Sequence, residues 1–115
     1  MTRSKAPSRF RRQNDPPILI LTSLAAGPKH GHALAKDIQE FAGVSLGPGA
    51  LYGAITRLEE RGLIEALEAE DRRRPYRITA TGSAALVEAV ADMRRLAAVG
   101  ESRLGSRPAA PAMQS

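Results

Sequence analysis

Four stretches of the chain carry apolar residues at helical spacing, and one alternates. Leu51, Ile55 and Leu58 fall at i, i+4 and i+7, which predicts a helix over 48–61 with those three inward. Gly49, Ala50, Tyr52, Gly53, Thr56 and Arg57 take its outer faces. Pro48 suits the opening position, where the first amides have no partner, and Gly62 suits the close. Over 30–42, Leu34, Ile38 and Phe41 share one face while Lys36, Asp37 and Glu40 point away, a second amphipathic helix ended by Gly43. Upstream, the run ILILTSLAA from Ile18 is apolar nearly all round. Asp15 can cap it, Pro16 and Pro17 fit a first turn, and Gly27 with Pro28 stops it. Composition alone permits a buried strand, but the short distance to the next helix favours a buried helix.

After Gly62, residues 63–69 alternate imperfectly, and 75–79 resume with Tyr76 and Ile78 opposite Arg77. This predicts a hairpin with Arg72, Arg73 and Arg74 at its tip. Pro75 lacks an N–H for the ladder, which predicts an edge or a bulge there. Thr79 suits an N-cap for a long helix of about 20 residues, or about 30 Å. Leu86, Val90, Met93 and Ala97 form its seam, widened by Val87, Leu96 and Val99. A helix so long and apolar exceeds what a small domain covers, so its surplus face calls for a partner, most simply a second copy. The expected architecture is mainly α with a small β-hairpin: a winged helix-turn-helix plus a C-terminal dimerisation helix. Dimer contacts are expected at Leu19, Leu86, Val90, Met93 and Ala97.

Charge refines this picture. The net +5 lies wholly in residues 1–14, where Arg3, Lys5, Arg9, Arg11 and Arg12 meet no acid; the rest balances at 12 basic against 12 acidic residues. A flexible basic arm suits phosphate tracking or a minor groove, or is a solubilising tail. The expected organisation is this arm, one domain over 15–99, and a flexible small-residue and proline-rich tail over 100–115. The absence of cysteine excludes disulfides and cysteine zinc sites, and a reducing cytoplasm is the natural setting. The apolar run 18–24 is too short to cross a bilayer, and no signal-peptide pattern follows the basic start, so a soluble protein is expected.

Candidate chemistry points to binding. His30 and His32 are two apart and diverge on a helix, so no metal site is expected, and His30 suits a cap at the helix start. Glu59 and Glu60 are adjacent, no glycine-rich phosphate loop follows a strand, and no nucleophile sits beside a base. Neither catalysis nor a cofactor is expected. Two helices joined by the short segment 44–47 match a helix-turn-helix, in which the second helix reads DNA. Its candidate DNA-contacting residues are Pro48, Gly49, Ala50, Tyr52, Gly53, Thr56 and Arg57, with Arg72, Arg73 and Arg74 of the hairpin. Tyr52 either meets a phosphate or sugar or packs on the wing; Arg57 either reads a guanine or phosphate or pairs with Glu60. Lys29 and Lys36 are secondary candidates for backbone contact.

Over about Ile18 to Leu96 the chain resembles the PadR family of bacterial winged-helix transcriptional regulators. The resemblance rests on His30-Gly31, on SLGPGALY from Ser45 to Tyr52, on LEERGLI from Leu58 to Ile64, and on RPYRITATG from Arg74 to Gly82. It implies a three-helix core, a two-stranded wing, a C-terminal dimerisation helix, and dimeric operator binding, usually as a repressor and sometimes relieved by a small molecule. Departures are His32, where the family commonly has an aromatic, Gly53, where proline is frequent, a short terminal helix, and the absence of tryptophan. An effector pocket among Leu19, Leu86, Val90 and Met93 competes with a plain packed dimer core. The other reading is a winged-helix protein-protein interaction module without specific DNA binding.

Overall fold

The structure, a computed structural model, describes residues 15–105; the basic arm and the end of the chain after 105 lie outside them. Its elements are α1 (Pro16–Ala25), β1 (Lys29–His30), α2 (Gly31–Ala42), α3 (Pro48–Glu60), β2 (Ile64–Ala66), β3 (Pro75–Ile78) and α4 (Ala80–Gly105). α1 is the hub, in contact with α2, α3, α4 and β3. That explains its all-round apolar composition: Leu19, Ile20, Leu21 and Leu24 are all buried. They pack with Leu34 and Ile38 of α2, with Leu51, Ala54, Ile55 and Leu58 of α3, and with Leu63 and Ile64 at the start of the wing.

One polar cluster interrupts this core. The buried Ser23 donates its hydroxyl to Asp37 Oδ2 at 2.6 Å, and Lys29 Nζ donates to the Ser23 carbonyl at 2.6 Å. Lys29 also stands 3.9 Å from Asp37. The cluster joins α1, β1 and α2, and it occupies the amine that the sequence offered for DNA backbone contact.

Helix ends follow the expected chemistry. His30 Nδ1 accepts from the Ala33 amide at 3.4 Å, capping α2. Gly43 (φ 68°) and Gly62 (φ 74°) supply the left-handed residues after α2 and α3. Asp15 holds the N-cap position of α1, but its side chain makes no capping bond.

The wing departs from a plain hairpin. It is three-stranded in the order β1-β3-β2, all antiparallel, with Lys29 opposite Tyr76, His30 opposite Pro75, and Ile64 opposite Ile78. Pro75 therefore lies in the central strand and not on an edge. It is tolerated as the first residue of β3, and its carbonyl still accepts from the Leu67 amide at 2.8 Å.

At the tip, Glu70 and Arg73 exchange both backbone bonds, at 2.6 and 2.7 Å, around Asp71 (φ 49°) and Arg72 (φ 69°). Two left-handed residues in a two-residue loop match a type I′ turn, which favours asparagine and glycine. Arg72 is the strained member. Arg72→Gly is expected to raise stability by up to about 1 kcal/mol, a few degrees in Tm, while weakening binding to any polyanion. Thermal melts paired with duplex titrations check both signs.

Three further expectations are corrected. Phe41 is 46% exposed, because the buried face of α2 drifts from Ile38 to Ala42, four residues on, which packs against the core in its place. Leu19 is only 4% exposed and belongs to the subunit core, so it is not available to a dimer seam or to an interfacial pocket. α4 does not end at 99 but continues to Gly105, so 100–105 are helical. Its 26 residues make a rod of about 39 Å. Leu86 packs on the core of its own subunit, whereas Val87 (68%), Val90, Leu96 (72%), Val99 and Leu104 stand in solvent.

α4 packs on α1 and on the core through Ala85 and Leu86, and hydrogen bonds tie its first turn to the wing. The Thr79 amide donates to the Leu63 carbonyl at 3.1 Å, and its hydroxyl donates to the Gly62 carbonyl at 2.7 Å. The same oxygen accepts from the Gly82 amide at 3.0 Å, so Thr79 is the expected cap. Gly82 is buried, and a Cβ there would collide with the Leu63 carbonyl and lie 2.9 Å from Ile78 Cγ1.

Candidate nucleic-acid interface

α3 divides as its spacing predicts. Leu51, Ala54, Ile55 and Leu58 are buried; Pro48, Gly49, Ala50, Tyr52, Thr56 and Arg57 are exposed, and Gly53 is half-buried. The first bond of the helix runs from the Leu51 amide to the Gly47 carbonyl at 2.9 Å, so the amides of Gly49 and Ala50 precede the helical ladder. Pro48 has no amide to lose. This end of α3 is compact, unencumbered by large side chains, and carries the positive end of the helix dipole.

Arg57 does not pair with Glu60. Its guanidinium has no hydrogen-bond or ion-pair partner among the described residues, and Gly53 leaves room for it: a Cβ at Gly53 would stand 3.6 Å from Arg57 Nη1. Thr56 donates its hydroxyl to the Tyr52 carbonyl at 2.9 Å. Lys36, on α2, is exposed.

Tyr52 is partly buried against its own protein. Its ring lies over Gly31 at the start of α2, so closely that a Cβ on Gly31 would stand 2.7 Å from the ring Cζ. His30, Gly31, His32, Tyr52, Arg72, Arg73, Arg74 and Tyr76 line one cleft, which brings the wing arginines, the N-terminus of α2 and Tyr52 of α3 together. Arg73 Nη1 is 3.4 Å from His30 Nε2, and Arg74 Nη1 donates to the Leu67 carbonyl at 3.1 Å. Neither partner is a carboxylate, though Glu70 and Asp71 flank the three arginines in the chain. Arg77, by contrast, is spent on Glu65 across the wing.

Burial raises the Tyr76 hydroxyl above its ordinary range, helped by Glu59 and Tyr52 and opposed by Arg74. Gly31, His32 and Tyr76 were not among the candidate contact residues. They converge through the pairing of β1 with β3, which no local pattern announces. Among the described residues no group of three or more His, Asp or Glu could hold a metal ion, and no helix is long and apolar enough to cross a membrane.

A bracing helix, an exposed second helix and a β-wing beside it define a winged helix-turn-helix domain. The profile of the transcriptional regulator PadR-like family matches residues 20–88, more than half of the chain, and the protein belongs to that family. An uncharacterized 37.1 kDa protein in transposon TN4556 of Streptomyces fradiae is 44% identical over 85 residues. That match takes in 74% of this chain but 25% of the relative, so the chain spans about a quarter of the length of the curated protein it matches. Among solved structures, a PadR family transcriptional regulator from Eggerthella lenta is similar at 25% identity and a TM-score of 0.74, over 90% of this chain and 94% of that one. A PadR family transcription regulator from Clostridium difficile is similar at 26% identity and a TM-score of 0.70, over 77% of this chain and 97% of that one.

Proposed function

We propose that the chain is a homodimeric, sequence-specific DNA-binding repressor acting in the cytoplasm and without catalytic activity. The observation that carries this reading is the shared cleft, in which Tyr52, on the outer side of α3, and the arginine tip of the wing stand together. In this reading 48–57 enter a major groove, with Ala50 and Arg57 facing base edges, and Arg72 to Arg74 lie on flanking phosphates or in the minor groove. The seam of α4, with Val90, Met93 and Ala97 flanked by Val87, Leu96 and Val99, joins two subunits so that two half-sites about 34 Å apart are read.

With about four phosphates neutralised per subunit, three of them by the wing arginines, the slope of log affinity against log salt is near −7 for the dimer. Titration of a random duplex and of duplexes selected from a random pool, across a salt series, tests this. A flat salt response, or no shift at low salt, favours the protein-interaction reading instead. Light scattering on the eluting protein tests the pairing, and a clean monomer at micromolar concentration would remove the dimer.

A further inference from the structure

The dipeptide His30-Gly31 touches both surfaces assigned to DNA. His30 caps α2 through Nδ1, pairs with Pro75 of the central strand, and faces Arg73 of the wing through Nε2. The next residue, Gly31, is buried beneath the ring of Tyr52 from α3. Gly31 has no left-handed φ, so its backbone does not call for glycine; only the space does. A Cβ would collide first with the Tyr52 hydroxyl oxygen and stand 2.7 Å from Cζ and 3.0 Å from Cε1, so any other residue must move the hydroxyl-bearing end of the ring.

That movement is easy for the fold. Tyr52 is 48% exposed, and its ring can swing outward without disturbing Leu51 or Ile55 on the buried side of the same helix. It would then stand in the space between α3 and the wing tip, where a duplex has to fit.

We infer that Gly31 is a positioning residue for DNA recognition: by leaving the floor of the cleft empty, it lets the Tyr52 ring lie down between α2 and the wing and keeps the reading face of α3 clear beside the arginines. The inference rests on the DNA-binding reading above. It assigns Tyr52 to the wall of the cleft, as a spacer, and not to a phosphate contact.

Four variants of the full chain test it: Gly31→Ala, Tyr52→Phe, Tyr52→Ala and the double variant Gly31→Ala/Tyr52→Ala. Each is titrated with a random duplex and with a duplex selected by the unaltered protein. Gly31→Ala is expected to melt near the unaltered chain yet bind the selected duplex about tenfold or more weakly, the size of one lost base contact, with the random duplex weakened less and the salt slope unchanged. Tyr52→Phe keeps the ring and is expected to stay within about threefold, and the double variant is expected to match Tyr52→Ala alone, because Gly31 acts only through the ring.

Additive losses in the double variant would overturn the inference, as would unfolding of Gly31→Ala. So would a loss of about tenfold with Tyr52→Phe on random and selected duplex alike, which would make the hydroxyl a backbone contact. A second readout needs no DNA. The chain has two tyrosines and no tryptophan, so tyrosinate absorbance follows Tyr52 and Tyr76 alone. Tyr76 is held up by burial, Glu59 and Tyr52 and drawn down by Arg74; when the Tyr52 hydroxyl moves away its repulsion relaxes and Tyr76 ionises at lower pH. An unchanged titration in Gly31→Ala means that the ring has not moved and the inference fails. If the unaltered chain selects no duplex, the DNA reading fails, and the titration still decides whether Gly31 seats the ring.

Discussion

Replacing Arg72, Arg73 and Arg74 together by alanine is expected to lower affinity for every duplex alike, by about three orders of magnitude near physiological salt. The three side chains stand at the exposed tip of the wing, and two of them lean on a ring nitrogen of His30 and the Leu67 carbonyl. Their removal therefore leaves no buried partner unsatisfied, and the melting temperature should hardly move. Each lost phosphate contact removes about 0.9 from the salt slope, so six in a dimer should take it from about −7 to about −2. Changes at Ala50 or Arg57 should instead alter which sequences bind, at a nearly constant preference for DNA over no DNA. Fluorescence anisotropy with a selected and a random duplex over a salt series separates the two patterns. A triple variant that keeps the full slope would mean that the arginines do not lie on phosphates.

Gly82→Ala is expected to have the largest effect on stability. The added methyl meets the Leu63 carbonyl, a backbone atom that already accepts from Thr79, while the Leu63 amide is held by the Leu58 carbonyl at 3.0 Å. On its other side Ile78 belongs to the core-facing side of β3. Neither neighbour can withdraw without pulling a strand or the start of α4 with it. The expected cost is about 3 kcal/mol or more, and a fall in Tm of about 10 °C or more. Urea and thermal unfolding measure it; a loss under about 1 kcal/mol would show that this junction yields more than its hydrogen bonds imply.

Where the chain speaks through local chemistry, the sequence and the structure agree. The i, i+4, i+7 spacing of Leu51, Ile55 and Leu58 sorted α3 into its two faces, and Gly43, Gly62 and Thr79 end or begin helices by their own conformational and capping preferences. Where tertiary pairing decides, local pattern is silent. Two residues, Lys29 and His30, are too few to alternate, so β1 was invisible, and with it the central place of Pro75 and the convergence of Gly31 and Tyr76 on the cleft. α1 is apolar on every side, so nothing in its spacing says that Leu19 faces its own core and not a partner. The last turns of α4 carry Glu101, Ser102 and Arg103 around a single apolar Leu104, and without a stripe the helix end could not be read from 100–105.

The bonds gathered at Thr79 have a mechanical consequence. Gly62 and Leu63 between α3 and β2, Thr79 just after β3 and Gly82 in the first turn of the terminal rod all meet within one set of hydrogen bonds. A push delivered along that rod therefore turns the head as a single block and leaves its internal angles as they were. In the dimer proposed above, any signal entering there would act on how far apart two heads are carried, like the span of a pair of calipers, and not on the shape of either jaw.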